Sequence, residues 1–236
     1  MAKRGKIFNI LQTTSPRNRF RFVVHLFSEG ETELDYLQTI GKSNNVQVTK
    51  GLVNSSPKVL LANAFKWVKE NAKVLRKEKD FRRVWVVFDD DAKAADMAEI
   101  VELWKKCPDL CAEACKIRDR NRCEYADVLG RIRIGFMTPC IEIWGLMCTE
   151  NIIKAGKRKE YSLNRHRLQS ELHKRMPSYI HDGHPYFEVD KMNANATLGA
   201  CQKAEKWIST YGNFPDCVNA SRYAGIAPLV KEILNI

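Results

Sequence analysis

Residues 20–27, FRFVVHLF, form an almost unbroken run of apolar and β-favouring side chains. Such a run predicts a strand covered on both faces, as in the centre of a parallel sheet. Gly30 follows and offers a tight turn. Thr32 reads as the cap of a helix carrying Leu34, Leu37 and Ile40. A short second strand is expected at VQV, residues 46–48. After it, Ser56–Pro57 places a cap before a proline at the first helical position. Leu61, Ala64, Phe65, Val68, Ala72 and Leu75 recur at helical spacing and read as core, while Lys66, Lys69, Lys73 and Lys77 fall on the opposite, solvated face.

The strand-then-helix pattern returns twice. RRVWVVFDDD (82–91) is a buried-looking strand ending in carboxylates, followed by a helical spacing of Met97, Ile100, Val101 and Trp104. RIRIGFMTPCIEIWGLM (131–147) contains a strand through Ile132 and Ile134. There Thr138–Pro139 reads as a cap and helix start, with Glu142 in the first turn, where its charge suits the helix dipole. Strands alternating with helices predict a mostly parallel sheet with crossover helices, whose strand ends share one edge. Ligands bind beyond that edge.

Acids therefore recur at the ends of separate strands. Glu29, Asp89, Asp91 and Glu142 are distant in sequence, yet this topology allows them to converge. Carboxylates gathered within a few ångströms raise one another's pKa unless a cation intervenes. Hard oxygen donors suit Mg²⁺ or Mn²⁺. Taken singly, each acid reads better as a helix cap or an ordinary solvated turn. Their coincidence after three strands favours a metal site.

The 236-residue chain is 44% hydrophobic, which excludes a disordered protein and permits a sizeable core. Its net charge of +11 favours an anionic partner, nucleic acid first, over a merely soluble basic surface. The basic stretch 1–19 lacks the apolar centre of a signal peptide, and no apolar run reaches the length of a membrane span. A cytoplasmic location without membrane association is expected, with the eight cysteines mostly reduced.

Three stretches resemble, in order, the motifs of the RloB-like proteins: FSEGETELDYL (27–37), VWVVFDDDA (84–92) and TPCIEIWGLM (138–147). The resemblance spans residues 20–236 as a single domain after the basic extension. It departs at the third motif, where Met137–Thr138 precede Pro139 and Ile141 precedes Glu142, and at Met147–Cys148, where a histidine is common. The segment around 101–130 is longer than the usual spacer and reads as an insertion.

The resemblance implies a Toprim-like α/β fold, a mostly parallel sheet flanked by helices, with a helical insertion and a helical C-terminal elaboration. It implies phosphodiester chemistry with a divalent metal, in a protein of bacterial anti-phage defence working with an ABC-type or AAA-like ATPase. On it, Glu29 corresponds to the family's Toprim glutamate, as general base or metal ligand. Asp89 and Asp91 correspond to its metal-holding DxD pair, and Glu33 and Glu142 to further acidic positions supporting the ligands or a second metal.

Other features read more plainly. Cys107, Cys111 and Cys115 lie at i, i+4 and i+8 on one helical stripe, with Cys123 beyond; buried small hydrophobes explain them better than zinc. His181 and His184 lie in a turn-like stretch and read as a surface loop. Lys157, Arg158, Lys159, Arg165 and Arg167 form a basic segment that suits phosphate contact as well as it suits a solvated helix face. Lys191 could meet a scissile phosphate as a point charge.

The function expected is metal-dependent cleavage of DNA or RNA, tRNA included. The alternative is a non-catalytic nucleic-acid-binding or regulatory subunit of an ATPase complex. A homo-oligomer is compatible with either.

Overall fold

The computed structural model describes residues 19–78, 81–90, 94–106, 126–149, 164–180 and 186–236. A five-stranded sheet runs in the order β2-β1-β3-β4-β5. Its strands are β1 (Phe22–Ser28), β2 (Val46–Val53), β3 (Arg82–Asp89), β4 (Ile132–Thr138) and β5 (Tyr223–Ala224). The first four are parallel, and β5 closes one edge antiparallel to β4. This is the mostly parallel α/β architecture that the alternating elements predict.

Helices cover both faces. Helices α2 (Pro57–Glu70), α3 (Ala72–Lys77), α4 (Ala94–Lys105) and α5 (Ala126–Leu129) cover one. Helices α1 (Glu31–Ser43), α6 (Glu142–Thr149), α7 (Arg165–Arg175), α8 (Ala194–Tyr211) and α9 (Ala227–Leu234) cover the other. Alternation along β3 divides the core accordingly. Val84, Val86 and Phe88 pack under α2, α4 and α5, whereas Trp85 and Val87 pack under the α1 and α6–α9 layer. None of these five is more than 5% exposed, which explains why β3 reads as a continuous apolar run.

Several local expectations are corrected. Thr32 lies inside α1; the cap residue is Gly30, which makes no side-chain cap bond. The second strand extends to Val53, well past VQV, because pairing with β1 continues along it through a register shift between Leu26 and Ser28. The long helical spacing after Pro57 is divided at Asn71, whose side-chain amide donates to the Trp67 carbonyl at 2.8 Å. Pro57 does open α2, but Ser56 makes no cap bond. Thr138 ends β4 rather than capping a helix, the Thr138–Pro139 peptide is cis, and α6 begins only at Glu142.

The chain leaves β1 through α1 toward β2, and leaves β3 through α4 toward β4. The connections after β1 and β3 thus diverge, opening a crevice between the carboxyl ends of two adjacent strands. Glu29 and Asp89 stand on either side of it.

Candidate functional site

Asp89 is the last residue of β3, and it is stitched to both neighbouring strands. On one side its backbone N–H donates to Glu29 Oε2 at 2.9 Å. On the other, its Oδ2 accepts the backbone N–H of Ile141, just after β4, at 3.2 Å. Asp89 as a residue is half-buried, but its carboxylate turns inward. Oδ1 is sealed from solvent and has no hydrogen-bond partner among the described residues.

Two further acids converge on it. Glu33, on the first turn of α1, is 3% exposed, and Glu142, opening α6, is fully buried. Burial holds the Asp89 carboxyl well above the usual carboxylate range, and the negative charges of Glu33, Glu142 and Glu29 push the same way. The Arg165 guanidinium opposes this, so it too lies within electrostatic reach. The Tyr179 hydroxyl donates to Glu142 Oε1 at 2.7 Å. Burial and the Glu142 charge together push the Tyr179 hydroxyl upward, so it stays a donor. The buried Cys140 thiol is raised by desolvation and by Glu142 and Asp89, which keeps it protonated and unreactive.

Gly30 shapes this pocket in a way that its backbone angles do not reveal. Its φ of -117° is open to any residue. A Cβ there, however, would lie 2.8 Å from Glu33 Oε2. Glycine at this position makes room for the Glu33 carboxylate. Glu31, between the two, turns elsewhere: it meets Lys50 at 3.4 Å, Asn54 at 3.3 Å and the Tyr186 hydroxyl at 3.3 Å, contacts that lower its pKa, the Lys50 hydrogen bond first.

The structure thus brings together Glu29, Glu33, Asp89 and Glu142. Arg165 and Arg167, expected on a nucleic-acid-binding face, differ in burial: Arg165 is half-buried with its Nη2 sealed from solvent, whereas Arg167 is exposed. Lys191 is ion-paired with Glu188 within its own 3₁₀ turn, and Glu188 also accepts the Ser178 N–H at 2.8 Å. Asp91, Lys157, Arg158 and Lys159 lie outside the described residues, as do Cys107, Cys111, Cys115, Cys123, His181 and His184. Sequence reasoning missed Tyr179 and Cys140. It also missed Asp90, whose Oδ2 accepts from the Thr138 hydroxyl at 3.0 Å. Tyr179 carries no sequence signal, while Cys140 lies inside a motif, two residues before Glu142.

A family model for RloB-like protein matches residues 24–233. The chain belongs to the RloB-like family. No match was found among curated proteins or among solved structures. In this RloB-like chain no described helix is long and apolar enough to cross a membrane.

The acids of the site offer the type of donor that a hard divalent cation takes. The donor atoms are carboxylate oxygens, and the buried Asp89 Oδ1 lacks a hydrogen-bond donor. Among the described residues, no group of three or more His, Cys, Asp or Glu side chains is arranged to hold a metal ion. Glu29 and Asp89 supply two carboxylates at the crevice, and the third expected ligand is Asp91.

Proposed function

We propose that this chain is a Toprim-type, metal-dependent nuclease that cleaves phosphodiester bonds in DNA or RNA. In this reading it acts in the cytoplasm as the effector of an anti-phage system, alongside an ABC-type or AAA-like ATPase. The observation that carries the reading is the convergence of Glu29, Glu33, Asp89 and Glu142 at the crevice between β1 and β3, where open α/β sheets bind ligands. The net charge of +11 supports a polyanionic substrate.

Glu29 and Asp89, with Asp91, are the residues that would hold Mg²⁺ or Mn²⁺. Bound there, such an ion polarises a phosphoryl oxygen and lowers the pKa of a coordinated water. Glu29 keeps its carboxylate at the crevice through the Asp89 N–H, where it would serve as metal ligand or general base. The Ile141 N–H orients the Asp89 carboxylate, and Tyr179 fixes Glu142 behind it.

The test is cleavage of supercoiled DNA and of total RNA by the purified chain with Mg²⁺, Mn²⁺ or chelator. Cleavage that requires the metal and disappears in Glu29→Gln is the expected result. Strand cleavage that survives chelation, or persists in that variant, would sink the proposal. A chain that binds nucleic acid and cleaves none under any metal would instead be a non-catalytic nucleic-acid-binding or regulatory subunit of an ATPase complex.

A further inference from the structure

Strands β3 and β4 pair with Asp89 opposite Met137, so Asp90 and Thr138 meet just past the last pair. Along β4, Ile132 and Phe136 pack on the α2 side of the sheet and Met137 on the other, and Thr138 continues the first alternation. Thr138 is 2% exposed, and a hydroxyl buried there needs a partner. It donates to Asp90 Oδ2 at 3.0 Å. Three residues further along the same connection, the Ile141 N–H donates to Asp89 Oδ2 at 3.2 Å.

Thr138 is held in place without help from the aspartates. It pairs with Tyr223 of β5, and Met137 pairs with Ala224. The Gly225 N–H donates to the Phe136 carbonyl at 2.8 Å, and a Cβ at Gly225 would lie 2.8 Å from that same oxygen. The chain after β5 therefore lies directly on the end of β4. Tyr223 is 2% exposed, and its hydroxyl donates to the Gly212 carbonyl at 2.9 Å. Asp90, by contrast, is half-buried and stands one residue beyond the end of β3. The threonine is the fixed partner, and the aspartate is what it fixes.

Successive side chains of a strand point to opposite faces. The connection between β4 and α6 grips two successive ones at the end of β3, Asp90 through a hydroxyl and Asp89 through an N–H. A strand end held on both faces cannot turn about its own axis. The bond to Asp89 alone would leave that rotation open.

We propose that Thr138 is a positioning residue of the acidic site: through Asp90 it sets the twist of the end of β3, and so keeps the Asp89 carboxylate in its orientation at the crevice. The inference rests on reading Asp89 as a ligand of a divalent cation. It also gives the short strand β5 a part in the site, because β5 is what holds Thr138.

The test uses the full chain without nucleic acid and reads Mn²⁺ affinity by electron paramagnetic resonance, with folding checked by circular dichroism and urea midpoint. Thr138→Val removes the hydroxyl and keeps the branched shape. It should bind Mn²⁺ about ten-fold more weakly than the parent, the effect that losing an outer hydrogen-bond partner has on metal affinity. Thr138→Ser keeps the hydroxyl and should stay within about two-fold of the parent. Asp90→Ala removes the other end of the same bond, and adding Thr138→Val to it should weaken binding by no more than about two-fold further.

Parent-like affinity in a folded Thr138→Val would overturn the inference and leave the metal reading standing. Equal losses in the valine and serine variants would also overturn it, because the hydroxyl would then not be the cause. Failure of the parent to bind Mn²⁺ would remove the metal reading, and the inference with it. Should Thr138→Val fail to fold, Asp90→Ala decides: a loss of the same size there, with Thr138→Ser like the parent, supports the inference, and parent-like affinity overturns it.

Discussion

The backbone N–H of Asp89 donates to Glu29 Oε2 at 2.9 Å, while the N–H of Glu29 donates to the Val87 carbonyl at 3.0 Å. The ends of β1 and β3 are thereby locked to each other through a side chain with a chemical role in the proposed reaction. Glutamine keeps an oxygen that can accept from Asp89, so Glu29→Gln should fold like the parent and lose cleavage. Glu29→Ala should lose cleavage and also about 1 kcal/mol of stability, because the Asp89 N–H is left without its acceptor. Denaturant unfolding of the two variants checks the difference.

Gly30→Ala should act through Glu33 rather than through the backbone. The φ of -117° tolerates alanine, but the added Cβ would lie 2.8 Å from Glu33 Oε2 and force the carboxylate aside. A loss of about 1–3 kcal/mol is expected. The loss should shrink when the carboxylate is withdrawn by Glu33→Ala. A double-mutant cycle in urea measures this coupling, and additive effects would refute the steric account.

His25 gives the fold an acid-sensitive element outside the site. Its ring stacks on Trp67 at 3.9 Å, and Nδ1 lies 2.9 Å from the Thr49 hydroxyl. Burial, helped by the Arg82 charge, pulls its pKa down to about 4. Unfolded, the ring gains its proton near pH 6.5, so between that pH and about 4 the unfolded state holds more protons. This contribution to stability is complete above pH 6.5 and falls as pH drops, by up to about 3 kcal/mol. His25→Gln should flatten this part of the stability profile, as followed by urea midpoints from pH 7 to pH 4.

The basic segment should reveal itself by salt. Replacing Lys157, Arg158 and Lys159 together by alanine should flatten the salt dependence of nucleic-acid binding by up to about three phosphate contacts' worth. The effect should be similar for unrelated sequences, because phosphate contacts carry no base information. Binding isotherms between low and moderate salt measure the slope. An unchanged slope would make the segment a solvated face.

Much of the fold could be read from the sequence because strands buried on both faces leave a blunt apolar signal. FVVHLFS and RRVWVVFD are both core strands, and the acid after each lies at the expected edge. Edge pairing left a weaker mark: the outer half of β2, TKGLV, is only partly buried and does not read as a strand. Cap chemistry misled at Thr32 and at Thr138, where tertiary context decides which residue begins the helix.

The acids of the site were legible because each follows a strand. The half-burial of Arg165 was not legible, because a run of basic residues does not say which member faces inward. Helix α7 turns Leu168 and Leu172 into the core, and its register then carries Arg165 inward while Arg167 remains outside. Tyr179 reaches Glu142 from 37 residues away through a contact that no local pattern announces.

The central claim is that the acids at the β1–β3 crevice form a metal site, and Mn²⁺ binding to the purified chain tests it without need of substrate or ATPase partner. Electron paramagnetic resonance of free Mn²⁺ gives the affinity for the parent and for Asp89→Asn. Asparagine keeps an oxygen for the Ile141 N–H but removes the ionisable carboxyl whose charged form burial and the neighbouring acids oppose, so this variant should be at least as stable as the parent while binding Mn²⁺ at least about ten-fold more weakly. Equal affinity in the two proteins, or no binding by the parent, would contradict the account.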